Sequence, residues 1–214
     1  MKQSPLKEQV DTIRRAFDYI TRFRDQAFVV HLAGALAERP LFPLLIRDIV
    51  HLHRMGIRVA LVPGSRKRID EVLRTYGVTC RTAEGIRITS AEAMPFVKMA
   101  SFDVCNRVMT LLAENGVDAL IGNWVRARGI GVRKGIDFQN SGVVDTIKTA
   151  IVRDLLAGGH MPIFPNVGWS VNGCRGGKKN CEMISVLIRP APTRITNSMA
   201  KMTKRCCLSI ATAP

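Results

Sequence analysis

The sequence is short of negative charge, of aromatic side chains and of long apolar runs. It holds 17 Asp and Glu against 32 Lys and Arg, for a formal net charge of +15, and only 6% of its 214 residues are aromatic. No apolar run approaches the roughly 20 residues of a membrane span, and the polar start MKQSPLKEQVDTIRR does not fit a signal peptide. We therefore predict a cytoplasmic protein, not a membrane protein, with one sizeable and mostly aliphatic core.

The six cysteines lack the spacing of a metal or redox motif. No two of them are separated by two residues, as zinc knuckles and redox motifs require. Cys174 and Cys181 are closer than most, but no histidine follows His160 to complete a metal site with them. We predict free thiols in a reducing compartment and no bound metal.

The positive charge is concentrated towards the C-terminal end. Residues 171–214 contain eight basic residues and a single acidic one. Basic clusters can bind nucleic acid, but no aromatic residue is interleaved with these charges to stack on bases. From residue 189 onward neither a helical nor a strand period is sustained, and Pro190 and Pro192 break any helix. We predict a basic, poorly ordered tail over 189–214, and nucleic-acid binding remains an alternative function.

Hydrophobic periodicity predicts alternating helices and strands along the rest of the chain. The order β-α-β-α over 28–77 indicates a parallel sheet covered by helices. The predicted helices are 6–24, 44–55, 67–76, 90–114, 148–157 and 181–188. The predicted strands are 28–33, 57–64, 118–124, 127–132, a pair within 135–147 that is broken at 140–142, and a buried strand over 161–170 that leads into a loop.

Five segments in order resemble the amino-acid kinase family. They are FVVHLAGALAE, GIRVALVPGSRKRIDEVL, GIRITSAEAM, GVDALIGNWVRARGIGV, and GIDFQNSGVVDTI with the later PIFPNVGWSVNG. Within that family the chain is similar to the N-terminal domain of bacterial N-acetylglutamate synthases, a relative of N-acetylglutamate kinase. The resemblance implies an α/β fold, a three-layer α/β/α sandwich with a mostly parallel central sheet, over 27–188. It also implies an N-terminal helix within 1–26, a fold truncated at its C-terminal side, and a role in arginine biosynthesis.

Differences from the family's kinases favour the synthase domain. The kinases carry a lysine and paired glycines after the first strand, where this chain has His31 and Ala33-Gly34. A neutral histidine is a poor substitute for a fixed cation. Neither the kinases' nucleotide-binding half nor the synthases' acetyltransferase domain has a counterpart in the sequence. We therefore expect no catalytic residues, and neither ATP nor acetyl-coenzyme A as a cofactor of this chain.

The resemblance also implies ligands, a set of binding residues and self-association. In the synthases this domain binds arginine, the end product of the pathway, and builds the oligomer, so an arginine-sensing regulatory module is an alternative function. We expect arginine or N-acetylglutamate as a ligand, and a homo-oligomer that pairs through the N-terminal helix. A synthase glutamate implicated in arginine binding matches Glu182, although Lys178 and Lys179 add positive charge beside it. The implied binding residues are Gly34, Gly64, Ser65, Arg87, Asn166 and Glu182.

Overall fold

The computed structural model describes residues 5–171, 181–186 and 208–209. The described part of the chain contains five α-helices and thirteen strands, and a short 3-10 helix at Leu36–Glu38. The helices are α1 (Pro5–Phe23), α2 (Phe42–Arg54), α3 (Arg66–Thr75), α4 (Met94–Glu114) and α5 (Thr149–Ala157). The strands are β1 (Ala27–Leu32), β2 (Arg58–Pro63), β3 (Thr82–Ala83), β4 (Ile86–Arg87), β5 (Ala119–Ile121), β6 (Val125–Gly129), β7 (Val132–Arg133), β8 (Ile136–Asp137), β9 (Ser141–Ile147), β10 (Met161–Ile163), β11 (Val167–Val171), β12 (Cys181–Val186) and β13 (Leu208–Ser209).

The central sheet is parallel, as the β-α-β-α pattern predicts. Its strand order is β13-β1-β2-β10-β5. β1 and β2 pair in register along their whole length, from Ala27 opposite Arg58 to Leu32 opposite Pro63. Between these strands, α2 ends before Gly56, whose φ of +89° is a left-handed conformation that glycine adopts at little cost.

Helices cover both faces of this sheet, which gives the predicted three layers. Alternate residues of β2 serve opposite faces, as the two-residue period of a strand requires. Val59 and Leu61 pack in one cluster with buried residues of α2 and α4, whereas Ala60 and Val62 pack in another with α5. Both clusters consist mainly of branched aliphatic side chains.

A second β unit is a small closed barrel of β11, β12, β9 and β6. β6 and β9 pair antiparallel, and the other contacts alternate between parallel and antiparallel pairing. Small residues make the tight barrel possible, and a Cβ atom on Gly142 would lie only 2.7 Å from the carbonyl oxygen of Arg128. The barrel sets the positions of Ser141 and of the segment after β10.

Two short hairpins stand beside the barrel, and both close with two-residue turns. The β3–β4 turn is Glu84-Gly85 and the β7–β8 turn is Lys134-Gly135, with positive φ at all four residues. Such turns match the right-handed twist of the paired strands. The first hairpin carries Arg87.

Three sequence-based predictions concern the C-terminal third. The predicted helix over 181–188 is wrong, because Cys181–Val186 is the strand β12, held between β11 and β9. The single buried strand predicted over 161–170 is instead two strands, β10 and β11, separated by residues 164–166. Most of the tail at 189–214 lies outside the described residues, apart from Leu208–Ser209 beside β1. Among the helices described, none has the length and apolar character needed to cross a bilayer.

Candidate functional site

A cleft opens where the carboxyl ends of β2 and β10 meet the barrel and the β3–β4 hairpin. Open α/β sheets place their ligands at this end of the strands. The start of α3, the first hairpin, the start of β9 and the end of β12 all contribute to its walls. The lining residues are Arg66, Ile69, Gly85, Ile86, Arg87, Ser141, Gly142, Asn166, Ser185 and Val186.

Arg87 supplies a largely buried positive charge to the cleft. Its side chain is only 14% exposed, and its Nη2 donates to the carboxylate of Asp70 on α3. A guanidinium carries five N–H donors in a rigid fork. One bond to Asp70 therefore leaves other donors for a ligand carboxylate. Arg66, at the first turn of α3, brings a second guanidinium to the same cleft and is more exposed.

Ser141 fixes the backbone that carries Arg87. Its buried hydroxyl donates to the carbonyl oxygen of Arg87 at 2.6 Å and accepts from the amide of Thr89 at 3.0 Å. The amide of Asn140 in turn donates to the carbonyl of Thr89 at 3.0 Å. Since Ser141 and Thr89 are buried, water does not compete for these bonds.

Asn166 contributes a side-chain oxygen that no described residue hydrogen-bonds. Its backbone is fixed on both sides: its amide donates to the buried Ser101 hydroxyl at 3.1 Å, and its carbonyl accepts from Val186 at 2.9 Å. Its side-chain Oδ1 is buried and has no hydrogen-bond partner within the described part of the chain. Because an unpaired buried acceptor costs free energy, a ligand N–H donor in the cleft would satisfy it.

Three predicted residues lie beside the cleft without lining it. The turns that contain Gly34 and Gly64 touch, since a Cβ atom on Gly34 would lie 2.7 Å from the Gly64 carbonyl oxygen. The Gly64 amide already donates to Leu32 at 2.7 Å, so it is not free to bind a ligand. Ser65 is buried, with an Oγ that has no partner among the residues described. Packing of adjoining turns accounts for both glycines.

His31 occupies the end of β1, where the kinases of the family carry their lysine. The side chain is half-buried, and the loss of solvation lowers its pKa below the ordinary value of 6.5. The imidazole is therefore neutral at pH 7. This position supplies no fixed positive charge for a transferring phosphoryl group.

Glu182 lies in β12, where its backbone faces Ser170 of β11. Its side chain is outside the described residues, as are Lys178 and Lys179, so the predicted arginine-binding role stays a prediction. Of the six predicted residues, the structure brings Arg87 and Asn166 together in the cleft. The sequence-based set omits Arg66 and Ser185, and the only signal for Arg66 is its place directly after the Pro63-Gly64-Ser65 turn.

Comparisons with known proteins agree with this architecture. Residues 26–181 match the model of the amino acid kinase family. The amino-acid acetyltransferase of Ralstonia nicotianae is 31% identical over 180 residues, which cover 79% of this chain and 40% of that protein. The corresponding enzyme of Pseudomonas syringae pv. syringae is 33% identical over 177 residues, which cover 78% of this chain and 41% of that protein.

Solved structures give the same result. The N-acetylglutamate synthase of Neisseria gonorrhoeae, complexed with coenzyme A and N-acetylglutamate, superposes with a TM-score of 0.72 at 28% identity over 83% of this chain and 40% of that chain. The complex of this synthase with coenzyme A and L-arginine superposes with a TM-score of 0.71 at 28% identity, over 83% of this chain and 42% of that chain. The chain thus spans about 40% of the length of these relatives. Because the family model matches residues 26–181, the chain belongs to the amino acid kinase family, and the relatives above make it N-acetylglutamate synthase-like over the part that they share.

Proposed function

We propose that this chain is the non-catalytic, ligand-binding amino-acid kinase domain of an N-acetylglutamate synthase-like protein of arginine biosynthesis, and that its cleft binds N-acetylglutamate. One observation carries the proposal. Two arginines, Arg66 and Arg87, line a cleft in which the buried amide oxygen of Asn166 has no hydrogen-bond partner among the described residues. The similarity to acetyltransferases supports the biosynthetic assignment and favours it over nucleic-acid binding.

The chemistry of the cleft fits this ligand in charge and in hydrogen bonding. N-acetylglutamate has two carboxylates, and guanidinium groups bind carboxylates through paired, charge-assisted bonds. Its acetamide N–H is a donor that Asn166 Oδ1 can accept. Free glutamate would bring an ammonium close to two arginines, which is unfavourable.

Arginine is the second candidate, since a related synthase has been solved with L-arginine. The guanidinium of an arginine ligand has the same charge as Arg66 and Arg87, and Asp70 is the described carboxylate that contacts Arg87. Among the described residues, two arginines stand against the single carboxylate of Asp70, and this positive charge favours the dianionic N-acetylglutamate. An arginine site would depend on Glu182, whose side chain lies outside them.

We infer that the chain does not transfer phosphoryl groups. Phosphoryl transfer depends on cations that neutralise charge in the transition state. The end of β1 instead holds His31, whose lowered pKa keeps it neutral. The resemblance to the synthases implies that acetyl transfer belongs to another domain, and this chain covers only 40% of the related acetyltransferase.

The binding proposal predicts a selective thermal shift. Millimolar N-acetylglutamate is expected to raise the unfolding midpoint in a concentration-dependent way, since a ligand that binds only the folded state stabilises it. Glutamate at the same concentrations is expected to have less effect. Differential scanning fluorimetry measures the shift, and isothermal titration calorimetry gives the Kd.

Two results would overturn parts of this assignment. If the unfolding midpoint does not change with N-acetylglutamate but rises with arginine, the ligand of the cleft is arginine and not N-acetylglutamate. Turnover of ATP with N-acetylglutamate, or of acetyl-coenzyme A with glutamate, would show that the purified chain is catalytic.

Self-association through α1 is a further part of the proposal. One face of α1 carries an exposed apolar stripe of Leu6, Val10, Ile13 and Phe17, of which Phe17 is 64% exposed. Exposed apolar patches of this kind mark interfaces. Two copies of the stripe could cover each other.

Phe17→Glu is therefore expected to convert an oligomer of the wild-type chain into a smaller species, as measured by light scattering during gel filtration. Arg15→Glu is the matched control, because Arg15 points from the opposite side of the helix and its substitution also adds negative charge. A monomeric wild-type chain, or equal effects of both variants, would contradict pairing through the stripe.

A further inference from the structure

Ion pairs connect the turn of the β3–β4 hairpin to the β7–β8 hairpin. Glu84, at the turn of β3–β4, accepts from Lys134 Nζ at 2.7 Å through Oε1, and its Oε2 lies 3.5 Å from Arg133 Nη1. Lys134 and Arg133 belong to the turn and strand of β7–β8. The hydrogen bond from Lys134 lowers the pKa of Glu84, so the carboxylate stays charged at neutral pH.

This contact acts on the wall that carries the cleft's buried cation. Gly85, Ile86 and Arg87 all line the cleft and follow Glu84 directly. The base of the hairpin is fixed by Ser141, through Thr89 and the Arg87 carbonyl. The ion pairs of Glu84 form a second contact, at the turn end of the hairpin. Both contacts connect the hairpin to the segment that runs from β7 to β9.

We propose that Glu84 is a positioning residue, whose pairing with Lys134 and Arg133 holds the β3–β4 hairpin in the conformation that presents Arg87 to the ligand. The proposal rests on the proposed ligand-binding function of the cleft. The pair contributes little to global stability, because Arg133 and Lys134 are more than half exposed and solvent screens them. Its effect is local, because a two-stranded hairpin of two residues per strand has little stability of its own.

The expected effect is a modest and specific loss of affinity. Glu84→Lys places three cations together at the hairpin turns and is expected to weaken N-acetylglutamate binding about 3-fold, in keeping with the small contribution of exposed ion pairs, with little change in the unfolding midpoint. The charge-swapped double variant Glu84→Lys/Lys134→Glu rebuilds a pair across the same gap and is expected to recover most of the affinity. Calorimetric titration with N-acetylglutamate measures both.

Arg128→Gln is the matched control. Arg128, on the barrel strand β6, pairs with Asp145 of β9 at 3.7 Å and is about as exposed as Lys134. Among the described residues, Arg128 forms no ion pair with the β3–β4 hairpin. Its loss is expected to leave the Kd unchanged. If Glu84→Lys has no effect on affinity, or if the double variant is no better than the single one, Glu84 does not position Arg87.

Hydrogen–deuterium exchange without ligand separates this inference from the proposed function. Amides of residues 82–87 are expected to exchange faster in Glu84→Lys and to return towards the wild-type rate in the double variant. Unchanged exchange would overturn the tip contact whatever binds in the cleft. If the wild-type chain does not bind N-acetylglutamate, both the proposed ligand and the positioning role of Glu84 are overturned. The exchange rates would still show whether the Glu84 contact holds the hairpin.

Discussion

Replacement of Arg87 by glutamine is expected to weaken binding of N-acetylglutamate by about 10- to 100-fold. A hydrogen bond to a charged group contributes about 1.5–3 kcal/mol, and the Arg87 side chain is only 14% exposed, so water replaces it poorly. The substitution also leaves Asp70 without its partner. Because Asp70 is about half exposed, that carboxylate is rehydrated and the fold loses little stability. Calorimetric titration of both proteins gives the ratio of the two Kd values.

Two further variants show whether the effect belongs to the cleft. Arg74→Gln removes an exposed arginine at the far end of α3 and is expected to leave the Kd unchanged. Arg87→Lys retains the charge without the planar fork and is expected to give an intermediate Kd. Equal Kd values for the wild type and Arg87→Gln would remove Arg87 from the binding site.

Periodicity along the first half of the chain predicts the first strands and helices of the central sheet well, because the apolar spacing within each segment is enough to identify it as a strand or a helix. β1 and β2 are mainly apolar, and α2 and α3 show apolar residues at helical spacing. Strands that are buried on both faces and joined by helices must be parallel. The amino-acid kinase family and the parallel central sheet are accordingly confirmed.

Segment 181–186 shows where local pattern fails. Met183, Ile184 and Val186 are compatible with either a short helix or a strand, since six residues do not distinguish the two periods. Tertiary pairing decides the outcome. β12 hydrogen-bonds to β11 on one side and β9 on the other, and without it the barrel would be open.

The cleft is predictable only in part. Arg87 and Asn166 were indicated by the family resemblance, and both line it. Arg66 and Ser185 reach the same cleft through packing between elements that are far apart in sequence. The link between Glu84 and Lys134 spans fifty residues and depends on two turns of the same type, which neither periodicity nor motif spacing reveals.

Gly142→Ala is expected to destabilise the fold by about 3 kcal/mol, near the upper end of the usual cost of overpacking. The new Cβ would lie 2.7 Å from the backbone carbonyl oxygen of Arg128 and would also collide with Ile184 Cδ1. The side chain of Ile184 can change rotamer, but the Arg128 carbonyl belongs to the β6–β9 ladder and can retreat only if the barrel opens. For a chain of this length we expect the midpoint of thermal unfolding to fall by about 6 to 12 °C.

Gly129→Ala is the control for this effect, because Gly129 faces Gly142 directly across the same strand pair. Apart from its two chain neighbours, no described residue has an atom within 4 Å of a Cβ placed on Gly129, and the φ of Gly129 lies outside the left-handed region. Alanine there is expected to be neutral or slightly stabilising, since it reduces the entropy of the unfolded chain. Circular dichroism melts of the three proteins make the comparison. If Gly142→Ala and Gly129→Ala unfold at the same temperature, the barrel is not closed as tightly as the contact between Gly142 and Arg128 requires.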